Sequence, residues 1–145
     1  MQKIFACLAF VFLFMFGCKS AASTVLPFVE ISLTATDITY DIKQIDALVG
    51  QPIKLTLIND GSLEHDFSIL EMLNESSTTE EVVDAMPSHD MSNMAVEPVI
   101  HVAAPIGGQK VLEFTPLEAG TYEYFCTVPG HKEAGMDGFL IVKSS

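Results

Sequence analysis

Arginine is absent from this chain, and its 7 lysines stand against 19 acidic residues. The formal net charge of −12 repels phosphate backbones and anionic head groups, which excludes nucleic acid as a partner. A charged protein partner should offer a basic face. Without arginine there is no twin-arginine export signal. Histidine is scarce too, at 4 residues, too few for an enzyme needing several histidine-rich metal centres. Helical periodicity is almost missing, and neither an internal repeat nor a low-complexity tract occurs.

Long apolar runs are limited to residues 4–16, a stretch too short to span a bilayer. Preceded by Lys3, it suits the h-region of a secretory signal peptide. Cys18 follows Gly17 at the boundary, an arrangement that resembles the lipobox of bacterial lipoproteins, in which the cysteine is lipidated. Phe16 and Met15 depart from that pattern, and cleavage near Ala22 is the alternative. The expected organisation is a signal peptide over residues 1–17, a tether over 18–27 and one domain over 28–145. The product would be exported, either periplasmic or anchored to the membrane through Cys18.

Of 3 cysteines, Cys7 and Cys18 belong to the leader and its edge, so the domain keeps one thiol, Cys126. A single cysteine in an exported domain forms no internal disulfide and would be exposed to oxidation. A metal is the best occupant for that sulfur.

What is present is mostly β signal. Alternating apolar and polar residues mark strands near 29–33 and 53–57. Further strands are expected at 38–40, 67–70, 99–102, 110–114, 120–125 and 138–142. Turn residues punctuate them, notably Gly50 to Pro52 and Asn59 to Ser62. Residues 72–98 interrupt the series as an acidic, methionine-rich insertion. Within it Thr78 and Glu81 fit a capping box for one short helix that Pro87 would end. Met86, His89, Met91 and Met94 read as local packing in a flexible insertion, with a site for a second metal or an apolar lid as alternatives. His101 reads as an ordinary strand residue. The pattern as a whole is all-β, an antiparallel sandwich or Greek-key barrel.

Chemistry concentrates in residues 126–136. Cys126, His131 and Met136 follow one another at intervals of five in a segment joining two expected strands. Pro129 and Gly130 turn the chain so that thiol and imidazole converge, and Gly135 turns it again for the thioether. Soft sulfur donors with borderline imidazole suit copper far better than magnesium or calcium. His65, after a turn and at the start of a strand, is the natural second imidazole. Two histidines, a thiolate and a weak axial methionine make the donor set of a blue-copper electron-transfer centre.

These residues, with residues 59–67 and 122–126, resemble the plastocyanin/azurin family of cupredoxins, with loop spacing most similar to auracyanins. The resemblance covers about residues 28–143. It implies an eight-stranded Greek-key sandwich with one type 1 copper held by His65, Cys126, His131 and Met136. It further implies a monomeric one-electron carrier, not an enzyme, serving redox proteins that present a basic or apolar docking face. His131 would be the exit for electrons, with Val128, Pro129, Ala134 and Met136 as candidate patch residues. Copper delivery or buffering is the alternative function. Where the family often carries asparagine after the first histidine, this chain has Asp66. Its backbone N–H can still serve the cysteine sulfur, while its side chain can clasp the copper-carrying loop differently and alter the reduction potential.

Overall fold

The computed structural model describes residues 26–72, 74–80 and 97–144, and among them there is no helix. The strands are β1 (Val29–Thr36), β2 (Thr39–Tyr40), β3 (Gln44–Leu48), β4 (Ile53–Asn59) and β5 (His65–Ile69). They continue as β6 (Asn74–Glu80), β7 (Ile100–Ala104), β8 (Gln109–Pro116), β9 (Gly120–Phe125) and β10 (Asp137–Lys143). One sheet runs β2-β1-β4-β8-β6 and the other β3-β10-β9-β5-β7.

Period-two patterning turns the apolar faces of the two sheets toward each other. In β4, Ile53, Leu55 and Leu57 are buried while Lys54, Thr56 and Ile58 are half-exposed. Leu33, Leu112, Phe67, Ile100, Tyr124 and Leu140 join them in one core cluster. Each such side chain contributes about 1.5–3 kcal/mol relative to exposure. Tyr124 lies at the centre, with ring centroids 5.0 Å from Phe67 and 5.7 Å from Tyr40. Its hydroxyl donates to the Ile42 carbonyl at 2.6 Å, so the buried phenol is satisfied.

The all-β expectation holds, with three corrections. Ten strands occur among the described residues where eight were expected, because residues 44–48 and 74–80 also pair. The sheets are mixed rather than purely antiparallel, since β1 runs parallel to β4 and β3 parallel to β10. The third concerns the short helix. Thr78 is no helix cap, because it pairs with Glu113 within β6 at the edge of the first sheet. A strand needs only a neighbour's free backbone groups, and β8 supplies them whatever the side-chain pattern. The rest of that insertion, with Met86, His89, Met91 and Met94, lies outside the described residues, as do the leader and Cys18.

Every residue of β5 is buried, between β7 on one side and β9 on the other. Its first residue, His65, is therefore delivered to the end of the sandwich where β9 also finishes.

Candidate metal centre

Asn59, the last residue of β4, shapes the turn that presents His65. Its side-chain amide donates to the carbonyls of Leu63 at 2.8 Å and Ala104 at 2.9 Å. Its Oδ1 accepts from the Gly61 N–H at 2.9 Å. The backbone of Asn59 also exchanges bonds with Gly107 and Gly108 in the β7–β8 turn. A fully buried amide thus ties the β4–β5 connection to the β7–β8 turn. In the sequence Asn59 had registered only as a turn residue.

The other donors ride on the β9–β10 connection. The Cys126 N–H donates to the Met136 carbonyl at 3.1 Å, and the Met136 N–H to His131 at 2.9 Å. Gly130 and Gly135 adopt φ values of +86° and +95°, a region that side-chain-bearing residues rarely enter. Lys132, from the same connection, lies 4.1 Å from the Phe125 ring centroid and pairs with Glu123. Lys43 reaches over from the β2–β3 linker and donates to the carbonyls of Gly135 at 2.8 Å and Asp137 at 3.0 Å.

Three of the four expected ligands come together. One donor atom each from His65, Cys126 and His131 lies within 4.8 Å of the others, all three residues buried. Cys126 Sγ is 3.9 Å from His65 Nδ1 and 3.5 Å from His131 Nδ1. The imidazole centroids are 5.1 Å apart. Met136 is fully buried on the same connection and belongs to the core cluster. That burial removes it from the list of surface-patch residues, whereas Pro129 and Ala134 are exposed and Val128 is half-buried. His101 sits opposite Ser68 on β7 and is not part of the donor cluster.

Burial sets the protonation of these donors. Burial, reinforced by the neighbouring His131, holds the His65 pKa below the usual imidazole value. The ring is then neutral near pH 7, with a lone pair to give. Its Nε2 is buried without a hydrogen-bond partner. Burial and then the Asp66 charge push the Cys126 thiol up to about 11, against backbone N–H groups of Asp66 and Val128 that stabilise its thiolate. A sulfur so placed becomes a thiolate at neutral pH only when a cation displaces its proton. Two nitrogens and one sulfur, dry and preassembled, fit copper by donor type.

The Asp66 side chain does clasp the cysteine-bearing segment. Its two oxygens accept from the Thr127 N–H at 2.9 and 3.1 Å, and Oδ2 also accepts from the Thr127 hydroxyl at 2.6 Å.

Comparison with known proteins agrees with this geometry. Residues 5–142 match the family profile of the cupredoxin-like domain, and the chain belongs to that family. Over 94 residues it is 35% identical to the copper-resistant cuproprotein CopI of Rubrivivax gelatinosus. That alignment takes in 65% of this chain and 53% of CopI, so the chain spans about half the length of this curated relative. Among solved structures, reduced auracyanin from Roseiflexus castenholzii superposes with a TM-score of 0.61 at 22% identity, over 79% of this chain and 96% of that one. Auracyanin A, a blue copper protein from Chloroflexus aurantiacus, gives 0.58 at 21%, over 80% and 99%. Reduced rusticyanin gives 0.54 at 22%, over 80% and 79%. At these identities the structures share a fold. The cofactor of this cupredoxin is copper, in keeping with the donor set and with the cuproprotein relative.

Proposed function

We propose that the chain is a one-electron carrier whose type 1 copper is held by His65, Cys126 and His131, with Met136 as the weak axial ligand. The observation that carries this reading is the preassembled, buried set of two imidazoles and one thiol within 4.8 Å. Copper in such a site alternates between Cu(I) and Cu(II), storing and releasing one electron. The chain's part is to keep the donors still and dry. His65 is fixed by the Asn59 turn, and the 126–136 connection is pinned by its own backbone bonds and by Lys43. Little rearrangement on electron gain means a low barrier to transfer.

His131 is the ligand nearest the exposed Pro129 and Gly130. Leu63 and Ile106, exposed at 47% and 63%, stand on the two turns that Asn59 ties together. They add apolar surface at the same end, suited to a redox partner that is apolar there and basic around it. The leader-like residues 1–17 and Cys18 support export, followed by release or lipid anchoring at the cell envelope. Monomeric action, without catalysis of its own, completes the reading.

Adding Cu(II) to the metal-free protein should give an intense blue colour that bleaches with reductant and returns with oxidant. A colourless complex would sink the proposal. Cys126→Ser should lose the colour and keep the fold.

A second reading, copper delivery or buffering, is favoured by one observation, the 35% identity to a copper-resistance protein. Transfer of copper itself to an apo acceptor, faster than transfer of electrons to an oxidised one, would select it.

A further inference from the structure

Strand direction separates the two ends of the sandwich. β4 runs from Ile53 to Asn59, and Asn59 shapes the turn that presents His65. β1 lies parallel to β4 with Val29 opposite Ile53, so the chain enters the fold at the end remote from the donor cluster. β8 runs antiparallel to β4, pairs Phe114 with Ile53, and leaves toward Leu117 at that same end. Three segments are knitted together there. The Val29 N–H donates to the Pro52 carbonyl at 2.9 Å, and the Gln51 side-chain amide donates to the Pro27 carbonyl at 3.2 Å. The Gly50 N–H donates to the Pro116 carbonyl at 2.9 Å. β7 is entered from this end as well, since the Val99 N–H donates at 3.0 Å to the carbonyl of Ile69, the last residue of β5.

This braced end turns three apolar side chains to solvent. Phe28, Val99 and Leu117 are exposed at 53%, 45% and 39%. Single apolar side chains are ordinary on a protein surface, and what gives these three an occupant is the segment that leads to them. Between the leader-like residues 1–17 and Leu26 lie eight residues, 18–25. Fully extended they reach at most about 29 Å, so a chain anchored by lipid at Cys18 holds this end close to the bilayer. Glu118 follows Leu117 directly and Glu97 stands two positions before Val99. Their charge opposes an anionic surface and leaves a zwitterionic one accessible.

We propose that this end of the sandwich, with Phe28, Val99 and Leu117, seats in the head-group layer of a zwitterionic bilayer and turns the metal centre away from the membrane. The proposal rests on the lipid-anchored form of export given above. An aromatic and two aliphatic side chains on a fixed backbone add apolar contact to the anchor, and one lipid chain alone holds only marginally. β4 spans roughly 20 Å between the two ends, so the centre stands about one strand length above the lipid. A partner that reaches it is soluble, or carries its own centre on a domain of comparable height.

The chain holds no tryptophan, so a single introduced one reports its surroundings without background. Full-length Leu117→Trp and Ile106→Trp would be extracted from membranes and reconstituted into phosphatidylcholine vesicles, Ile106 being exposed on the β7–β8 turn at the metal end. Exchanging the lipid for its brominated form should lower Leu117→Trp emission roughly twofold and leave Ile106→Trp emission unchanged. On vesicles that retain the chain, an unquenched Leu117→Trp, or equal quenching at both positions, overturns this proposal alone. Quenching that appears only when anionic phosphatidylglycerol is added overturns it too. A chain that the vesicles do not retain removes the anchored reading and this proposal with it, leaving the metal centre untouched. Leu117→Trp emission that shifts with protein concentration in detergent alone assigns the face to a second copy, which also overturns the proposal. If Leu117→Trp fails to fold, Val99→Trp takes its place with the same expected outcomes.

Discussion

Gly61 and His65 approach so closely that a methyl group on Gly61 would stand 2.7 Å from the imidazole Nε2. The same methyl would meet the backbone nitrogen of Asp37 at 2.9 Å. Backbone on one side and a candidate ligand on the other leave the imidazole as the group that yields. Gly61→Ala should therefore displace His65 while leaving the core cluster unaltered. We expect a changed visible spectrum and roughly tenfold weaker copper retention in chelator competition. An unchanged spectrum would mean that His65 does not need this clearance.

Asn59 holds three backbone groups through one side chain, all in a buried place. Asn59→Ala would strand the Leu63 and Ala104 carbonyls and the Gly61 N–H. A loss of about 3 kcal/mol is expected, lowering Tm by roughly 10 °C in a thermal melt of the metal-free protein. A drop within about 1 °C would show that the turns are set by other contacts.

Lys43 acts at a distance from the core, on the surface of the loop. Its two bonds to the Gly135 and Asp137 carbonyls stop the 126–136 connection from lifting at its far end. Because the ammonium is exposed, Lys43→Met should change global stability by less than about 1 kcal/mol. Copper release, followed with a colorimetric chelator, should nonetheless quicken about threefold to tenfold. Equal release rates would assign Lys43 no part in holding the loop.

The raised pKa of Cys126 has a measurable sign in the metal-free protein. From an ordinary value of 9.0 it is pushed up to about 11 in the fold, so above pH 9 the unfolded chain loses this proton first. Stability contributed by this group is present below pH 9 and declines as pH rises through about 11. Alkylation of the thiol by iodoacetamide should follow the same range, remaining slow at pH 8 and rising toward pH 11. Rapid modification at pH 8 would contradict a buried, protonated sulfur.

Legibility in the sequence followed the distance over which each feature is built. Cys126, His131 and Met136 occupy one loop at regular intervals, so spacing and donor type sufficed to mark them. His65 needed the loop as its partner, since a lone histidine at a strand start says little. Strong alternation made β4 readable. β3 alternates too, with Ile45 and Ala47 inward, but it is short. β6 carries no apolar residue at all, and its Thr78 imitated a helix cap while its backbone paired with β8. The parts that Asn59, Gly61 and Lys43 play at the site went unread for a shared reason. Each meets at least one main-chain atom from a segment remote in sequence (Ala104 for Asn59, Asp37 for Gly61, Gly135 and Asp137 for Lys43), and composition alone does not record such proximity.

His65 and Cys126 stand 61 positions apart along the chain, one opening β5 and the other just past the end of β9, two neighbouring strands of the second sheet. A nascent or clipped molecule lacking either strand has no pocket for the ion. Any tint from bound copper would thus count molecules in which both segments are in place, and its growth during refolding would time the meeting of β5 and the end of β9.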